Sequence, residues 1–111
     1  MMLWLFIQPV LANVEDINVT QTLATQGDKI SQSSLGLMYV NGQGVEQNEQ
    51  KAFEWFSKAA TQGDVGSQYS LGIMYDNGYG TAKNTVLAKE WYLKAANNGN
   101  DQAKQALSEI Q

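Results

Sequence analysis

Hydrophobic residues along most of the chain recur at helical spacing, in short segments that are separated by glycine, aspartate and asparagine. This spacing is typical of amphipathic helices, and the separating residues are typical of helix ends and turns. The pattern predicts helices over residues 15–26, 29–40, 49–62, 65–76 and 85–98, with a shorter closing helix over residues 101–110. We therefore expect an all-α fold.

The chain repeats itself with a period of 36 residues, which Gly27, Gly63 and Gly99 mark. When residues 27–62 are aligned with residues 63–98, 19 of the 36 pairs are identical. The same register continues outward at both ends, so two full repeats are flanked by half repeats. A repeat of this length predicts an α/α superhelix, or solenoid, in which antiparallel helix pairs stack on one another.

The ends of the predicted helices carry residues suited to those positions. Gly27 and Gly63 stand where a helix closes in the left-handed conformation, which glycine adopts without steric cost. The G-x-G loops at 42–44 and 78–80 follow no strand, so they predict turns rather than a phosphate site. Four residues are predicted to cap the helices that follow them, namely Asp28, Asn48, Asp64 and Asn84.

Glycine also occurs inside two predicted helices, at Gly36 and Gly72. There it costs about 1 kcal/mol relative to alanine, and close packing of a second helix would compensate for that cost. The small residues expected to permit this approach are Ala52, Ala59, Ala88 and Ala95. Larger gaps are expected to be filled by Tyr39, Trp55, Phe56, Tyr75, Trp91 and Tyr92.

The composition limits the chemistry of the protein. Seven lysines and no arginine stand against 11 acidic residues, so the chain lacks the basic surface that nucleic acids require. Cysteine and histidine are absent, which removes the residues of most nucleophilic, acid–base and zinc sites. The repeated carboxylates Glu54 and Glu90 are expected on a solvated face, paired with Lys51 or Lys94. We predict a protein that is not an enzyme and uses no cofactor or metal.

The first eleven residues form an apolar run that is too short to span a bilayer, so no stable membrane insertion is expected. The run ends in the small-x-small pattern of a signal-peptidase site, which favours a signal peptide over residues 1–12 and a repeat domain over residues 13–111. Because no lysine or arginine precedes the run, an apolar segment docked on the first repeat is the alternative. We expect a periplasmic or secreted protein, with a cytoplasmic location as the alternative.

Residues 67–78 (SQYSLGIMYDNG), followed by Ala88, residues 91–92 and residues 94–96, resemble the Sel-one-like repeat (SLR) family, whose members are related to tetratricopeptide repeats. The resemblance covers residues 23–107. It departs from the family pattern where asparagine replaces aspartate before the second helix and where serine replaces an aromatic residue in the first repeat. The resemblance implies a right-handed superhelix that acts as a scaffold for protein complexes.

By the same analogy, the first helix of each pair lines the concave face that contacts a partner. The predicted partner-binding residues are Ile30, Ser33, Leu37, Val40, Asn41, Tyr69, Ile73, Asp76, Asn77 and Tyr79. We expect Val40, Asp76 and Tyr79 to be exposed because they lie close to the loops. For Leu37, Tyr69 and Ile73, packing beneath the next helix is the alternative.

The sequence favours a non-catalytic scaffold or adaptor that binds a protein or peptide. The alternative is a small structural protein that self-associates weakly through its N-terminal half repeat, which contains Ile17, Val19 and Leu23 but no tryptophan. The resemblance implies a remote alternative, because some secreted SLR proteins have been linked to β-lactam binding or hydrolysis. Those proteins carry a cysteine pair in each repeat, whereas this chain has no cysteine and no Ser-x-x-Lys arrangement.

Overall fold

The computed structural model describes residues 17–110, and the regular elements in that range are all α-helices. Helix α1 covers residues 17–25. The helices that follow are α2 (Lys29–Asn41), α3 (Glu49–Thr61), α4 (Val65–Asn77), α5 (Thr85–Asn97) and α6 (Asp101–Glu109). These begin at the predicted residues and end within one residue of the predicted ends, so the all-α prediction is confirmed.

Helix α1 precedes α3 by one repeat in the 36-residue register, and it therefore forms the N-terminal half repeat. The predictions for residues 1–12, a signal peptide or a docked apolar segment, lie outside the described residues. Between residues 17 and 110, no helix is long and apolar enough to cross a membrane.

The helices form pairs that stack in chain order. Helix α2 packs along α3, and α4 packs along α5. Helix α3 joins the two pairs by packing on α4, while α6 packs on α5 and also contacts α4. This arrangement confirms the predicted solenoid of stacked helix pairs.

The hydrophobic core consists mainly of small residues around one aromatic ring in each repeat. The first cluster contains Ala52, Phe56, Ala60, Leu71 and Met74. The second contains Ala88, Tyr92, Ala95, Ala96 and Ala103. Alanine at these positions allows neighbouring helix backbones to approach closely, because its side chain adds little bulk between them.

The predicted N-caps are confirmed. The side chain of each N-cap residue accepts a hydrogen bond from the backbone N–H three residues further on. The four N-cap residues are Asp28, Asn48, Asp64 and Asn84. The hydroxyl and backbone N–H of Ser31 both donate to Asp28 and hold the pKa of its carboxyl below the usual value. Gly27 and Gly63 have φ angles of 102° and 95°, so the predicted left-handed helix ends are also present.

The two glycines inside helices lie where an aromatic ring rests on the helix backbone. A Cβ atom added to Gly36 would lie 2.7 Å from Cε1 of Phe56, and one added to Gly72 would meet the ring of Tyr92 more closely still. Carbon atoms that are not bonded pack at about 3.5 to 4.0 Å, so only glycine fits. The predicted close packing is therefore present, but the nearest partner of each glycine is a ring and not the predicted alanine.

A buried glutamine in each repeat links three helices. Gln32 Nε2 donates to the carbonyl oxygen of Ala24 in α1 at 3.1 Å, and Gln62 after α3 donates to Gln32 Oε1 at 2.8 Å. Gln68, one repeat further, makes the equivalent hydrogen bonds at 3.3 and 3.1 Å. Because an unpaired buried polar group costs about 1 to 3 kcal/mol, these bonds favour one stacking register over its alternatives.

Lys51 and Lys94 contact aromatic rings rather than the glutamates that were predicted as their partners. Nζ of Lys94 lies 4.4 Å from the ring centroid of Trp91, and Nζ of Lys51 lies 5.5 Å from that of Tyr39. A cation above a ring is attracted by the ring quadrupole, by about 0.5 to 1 kcal/mol at exposed sites. Trp91 is only half-buried, so it contributes less to the core than a fully buried tryptophan would.

We expect the substitution Gly72→Ala to lower the free energy of unfolding by about 1 to 3 kcal/mol, because the added methyl group must displace the Tyr92 ring. Gly66→Ala in the same helix is the matched control, since its Cβ would meet nothing closer than Asp64 Oδ2 at 3.8 Å. The control should raise the free energy of unfolding by up to about 1 kcal/mol. Urea denaturation followed by circular dichroism compares them. Equal stabilisation by both substitutions would contradict the tight contact at Gly72.

Candidate functional site

A concave groove of about 290 Å³ lies between the first helix pair and α4. Its walls are mainly apolar, with a few polar groups at its edges. The groove is lined by Leu37, Val40, Gln47, Glu49, Phe56, Ser70, Ile73, Met74 and Tyr79. We call it the first groove.

The local sequence explains how the apolar residues of the first groove are presented. Leu37 and Val40 are three residues apart on α2, so they lie on one face of it, and they are 52% and 37% exposed. Gly78 ends α4 with a φ of 73°, and the turn that follows places Tyr79, 50% exposed, against the groove. Phe56, which rests on Gly36, forms a buried part of the groove wall.

The polar edge of the first groove is held by the linker between α2 and α3. Gln47 Nε2 donates to the carbonyl oxygen of Val40 at 2.9 Å, and the backbone N–H of Asn48 donates to the carbonyl oxygen of Tyr39 at 2.9 Å. These bonds satisfy two carbonyl groups near the end of α2. They also fix Gln47 beside the groove.

A second groove of about 520 Å³ lies between the second helix pair and α6. It is more polar than the first groove. The residues that line it are Tyr69, Asp76, Lys83, Thr85, Tyr92, Ala106, Glu109 and Ile110. We call it the second groove.

A tyrosine and an aspartate meet in the second groove. The hydroxyl of Tyr92 donates to Asp76 Oδ2 at 3.4 Å, a long hydrogen bond. Burial, with the negative charge of Asp76 beside it, raises the pKa of Tyr92 well above its usual value. The phenol therefore stays protonated in neutral solution, where it is a hydrogen-bond donor and not a base.

The structure distributes the predicted partner-binding residues over both grooves. Four of them line the first groove: Leu37, Val40, Ile73 and Tyr79. Tyr69 and Asp76 line the second groove. Neither groove includes Ile30, Ser33, Asn41 or Asn77. Asn41 and Asn77 are the last residues of α2 and α4. The side-chain amide of Asn77 donates to the carbonyl oxygen of Ile73 in the same helix at 3.0 Å.

The exposure of these residues tests which of them pack beneath the next helix and which face solvent. Leu37 is exposed and therefore does not pack beneath the next helix, whereas Tyr69 and Ile73 are half-buried against the second core cluster. Val40 and Tyr79 are exposed as expected. Asp76 is only partly exposed, contrary to expectation, because the Tyr92 side chain covers it and donates to it.

Sequence reasoning missed the groove residues that come from the linkers and from the second helix of each pair. It also missed Ser70 and Met74 on α4 and the groove residues contributed by the last helix, which are Ala106, Glu109 and Ile110. Gln47 and Glu49 in the first groove correspond to Lys83 and Thr85 in the second. These positions differ between the two copies, as do the predicted pairs Leu37/Ile73 and Val40/Asp76, whereas the predicted pair Asn41/Asn77 is identical. A comparison of the two repeats that included the linkers would have identified Gln47, Glu49, Lys83 and Thr85 as variable positions.

The described carboxylates do not assemble into a metal site. Among residues 17–110, no three aspartate or glutamate side chains lie close enough together to hold a metal ion. The grooves present aliphatic and aromatic surface, three carboxylates, one lysine ammonium and hydroxyl groups. Such surfaces can bind side chains of another molecule by apolar contact, hydrogen bonds and ion pairs.

The family model of the Sel1 repeat matches the chain twice, over residues 30–64 and 65–100. Solved structures that are similar to the chain include a Sel1 repeat protein from Oxalobacter formigenes, with a TM-score of 0.82 and 44% sequence identity. That match covers 84% of this chain and 70% of the other chain. A comparison with curated proteins finds no match.

A protective antigen present in uropathogenic Escherichia coli strains, which displays an SLR fold, is 36% identical, with a TM-score of 0.79 over 81% of this chain. The matched part is 19% of the antigen's chain. Cysteine rich protein B from Helicobacter pylori is 26% identical, with a TM-score of 0.78, over 82% of this chain and 68% of that one. The stacked helix pairs are thus shared with solved structures from three organisms.

Proposed function

The chain belongs to the Sel1 repeat family, whose members are generally helical scaffolds for protein interaction, and we propose that it binds an extended peptide segment of a partner protein without catalysing a reaction. The observation that carries this proposal is the first groove. The bound segment lies across the first groove and continues toward the second.

Exposed apolar side chains support the peptide-binding role. Leu37, Val40 and Tyr79 are all large, are exposed by more than a third, and line one groove. Burying such surface is favourable by about 25 cal/mol per Å², so a partner side chain placed there stabilises a complex. A volume of about 290 Å³ lies at the lower limit for sites of whole small molecules, and it suits one or two side chains.

The groove chemistry supports binding without catalysis. The chain has no histidine or cysteine, and the raised pKa of Tyr92 keeps its hydroxyl protonated. Asp76 accepts the hydrogen bond of that hydroxyl. These groups can recognise a side chain, but they do not form the nucleophile and base pair that covalent catalysis requires.

Self-association through the N-terminal end is a second candidate function, and one observation favours it. Leu23 in α1 is 40% exposed, although the residues one and two repeats further on, Ala59 and Ala95, are fully buried. Val19 and Ile30 nearby are 55% and 67% exposed. An apolar end of this kind gains stability when a second copy covers it.

We propose that the protein is exported from the cytoplasm and is periplasmic or secreted. The support is the apolar run at residues 1–11 and the small-x-small pattern that ends at Ala12. A periplasmic or secreted location would bring the grooves into contact with envelope or extracellular proteins. A cytoplasmic location is the alternative.

The first prediction of this proposal compares two leucines that are equally exposed. Leu37 lines the first groove and Leu93 lies on α5 outside both grooves, and each is 52% exposed. Partners captured from envelope and soluble fractions of the host should be recovered about tenfold less by Leu37→Glu, because a carboxylate in an apolar groove is poorly solvated. Leu93→Glu should recover them as the unmodified protein does. Equal recovery by both variants, with folding confirmed by circular dichroism, would exclude the first groove.

The second prediction concerns self-association. If the N-terminal end pairs with a second copy, the mass from sedimentation equilibrium should rise with protein concentration, and Leu23→Lys should restore a monomer. The reason is that a buried lysine at the contact would be left unpaired. A monomer mass at all concentrations removes this candidate and leaves peptide binding unaffected.

The third prediction concerns the location. The protein purified from its native host should begin at Asn13, because signal peptidase cleaves after the small residue that ends the pattern. Mass spectrometry of the intact protein measures the N-terminus directly. A protein that retains residues 1–12 would show that the segment is not a cleaved signal peptide.

A further inference from the structure

The two grooves are equivalent sites in successive repeats. Seven residues that line the first groove stand 36 positions before seven that line the second. Phe56 in the first groove corresponds to Tyr92 in the second, and both rings rest on a glycine of the preceding helix. Helix α6 takes the place of α4 in the second groove. One backbone framework therefore presents two different sets of side chains.

The chemistry of the two grooves differs at the equivalent positions. Val40 in the first groove corresponds to Asp76 in the second, and Ile73 corresponds to Glu109. Each pair exchanges an aliphatic side chain for a carboxylate. Two apolar contacts for a bound segment are thus replaced by two negatively charged hydrogen-bond acceptors. At the linker end of the grooves the exchange runs the other way, from Glu49 to Thr85 and from Gln47 to Lys83.

The two carboxylates of the second groove keep most of their capacity to accept hydrogen bonds. Asp76 accepts from the Tyr92 hydroxyl at 3.4 Å, and Glu109 accepts from the Gln105 amide at 3.2 Å. Lys83 lines the same groove but forms no ion pair with either of them. Elsewhere in the described residues, Lys104 forms an ion pair with Asp101 at 3.7 Å.

Charge complementarity identifies the group that suits the second groove. A carboxylate accepts hydrogen bonds most strongly from a lysine ammonium or an arginine guanidinium. The chain as a whole has a net charge of −4, so its field also attracts a basic segment. The first groove has a single carboxylate, Glu49, and its Leu37, Val40 and Ile73 side chains suit an aliphatic or aromatic side chain instead.

The spacing between the grooves sets the spacing in the ligand. Helix α6 contacts α4, and α4 contributes residues to both grooves, so the grooves are separated by about the width of one helix. Packed helices have axes about 8 to 10 Å apart, and an extended chain advances about 3.3 Å per residue. The two anchoring side chains are therefore about three residues apart in an extended segment.

We propose that the partner segment places an apolar side chain in the first groove and a lysine or arginine side chain in the second. This inference rests on the proposed function and adds the chemical class of the segment. An apolar segment without a basic residue leaves the carboxylates of Asp76 and Glu109 unpaired, which makes it a poorer ligand.

The test is selection of binding peptides from a phage library of random dodecapeptides with the full chain as the bait. The selected peptides should contain an apolar residue and, about three residues away, a basic residue. At the second position, lysine and arginine should exceed aspartate and glutamate by about tenfold or more, the ratio expected for one charge-assisted hydrogen bond.

The double variant Asp76→Val with Glu109→Ile gives the second groove the residues of the first at both positions. Peptides selected with this variant should no longer prefer a basic residue at the second position and should prefer an apolar residue there. Their preference at the position that binds the first groove should be unchanged. The control Glu54→Val with Glu90→Ile removes the same charge from exposed positions outside both grooves and should keep the original preference. If the first variant does not fold, Asp76→Asn with Glu109→Gln should lose the basic preference alone.

The outcomes separate this inference from the proposed function. Selected peptides with apolar residues but no basic preference, or with a basic preference that persists in the double variant, would overturn the inference and leave peptide binding intact. A selection with no enrichment over empty beads would contradict the proposed function itself.

Discussion

In each full repeat an aromatic ring of the second helix rests on a glycine of the first, and the distance between the two helices follows from that contact. Phe56 meets Gly36 and Tyr92 meets Gly72, at distances that leave no room for a Cβ atom. The same rings line the first and second grooves. Because one contact determines both the separation of the helices and a wall of each groove, changes in this part of the core also change the binding surface.

Stacking of one helix pair on the next depends on a polar contact that recurs in both repeats. Gln32 and Gln68 each donate to a carbonyl near the end of the preceding helix and accept from the side-chain amide of the residue directly after the following helix. These glutamines are identical in the two copies, whereas groove positions such as Val40 and Asp76 differ. Residues that fix the framework are restricted by buried partners, whereas an exposed groove position such as Val40 has no such restriction.

The helices and their caps were predictable because their determinants are local: Asp28 and Asn84 each bond a backbone N–H three residues away. The family analogy also identified part of each groove, including Leu37 in the first and Tyr69 in the second. It could not identify Gln47, because the position of that side chain depends on how the linker folds against α2. The partial burial of Asp76 was not predictable for the same reason, since the covering ring belongs to another helix.

Two different grooves also suit the energetics of a short array. Burial of one aliphatic side chain stabilises a complex by about 1.5 to 3 kcal/mol, whereas association costs about 4 kcal/mol or more in lost translational and rotational freedom. A single groove is therefore too weak, but once one side chain is seated the second binds at high effective concentration. The apolar and acidic grooves also fix the direction of the segment, because reversing it would place a charged side chain in the apolar groove and leave Asp76 and Glu109 unpaired.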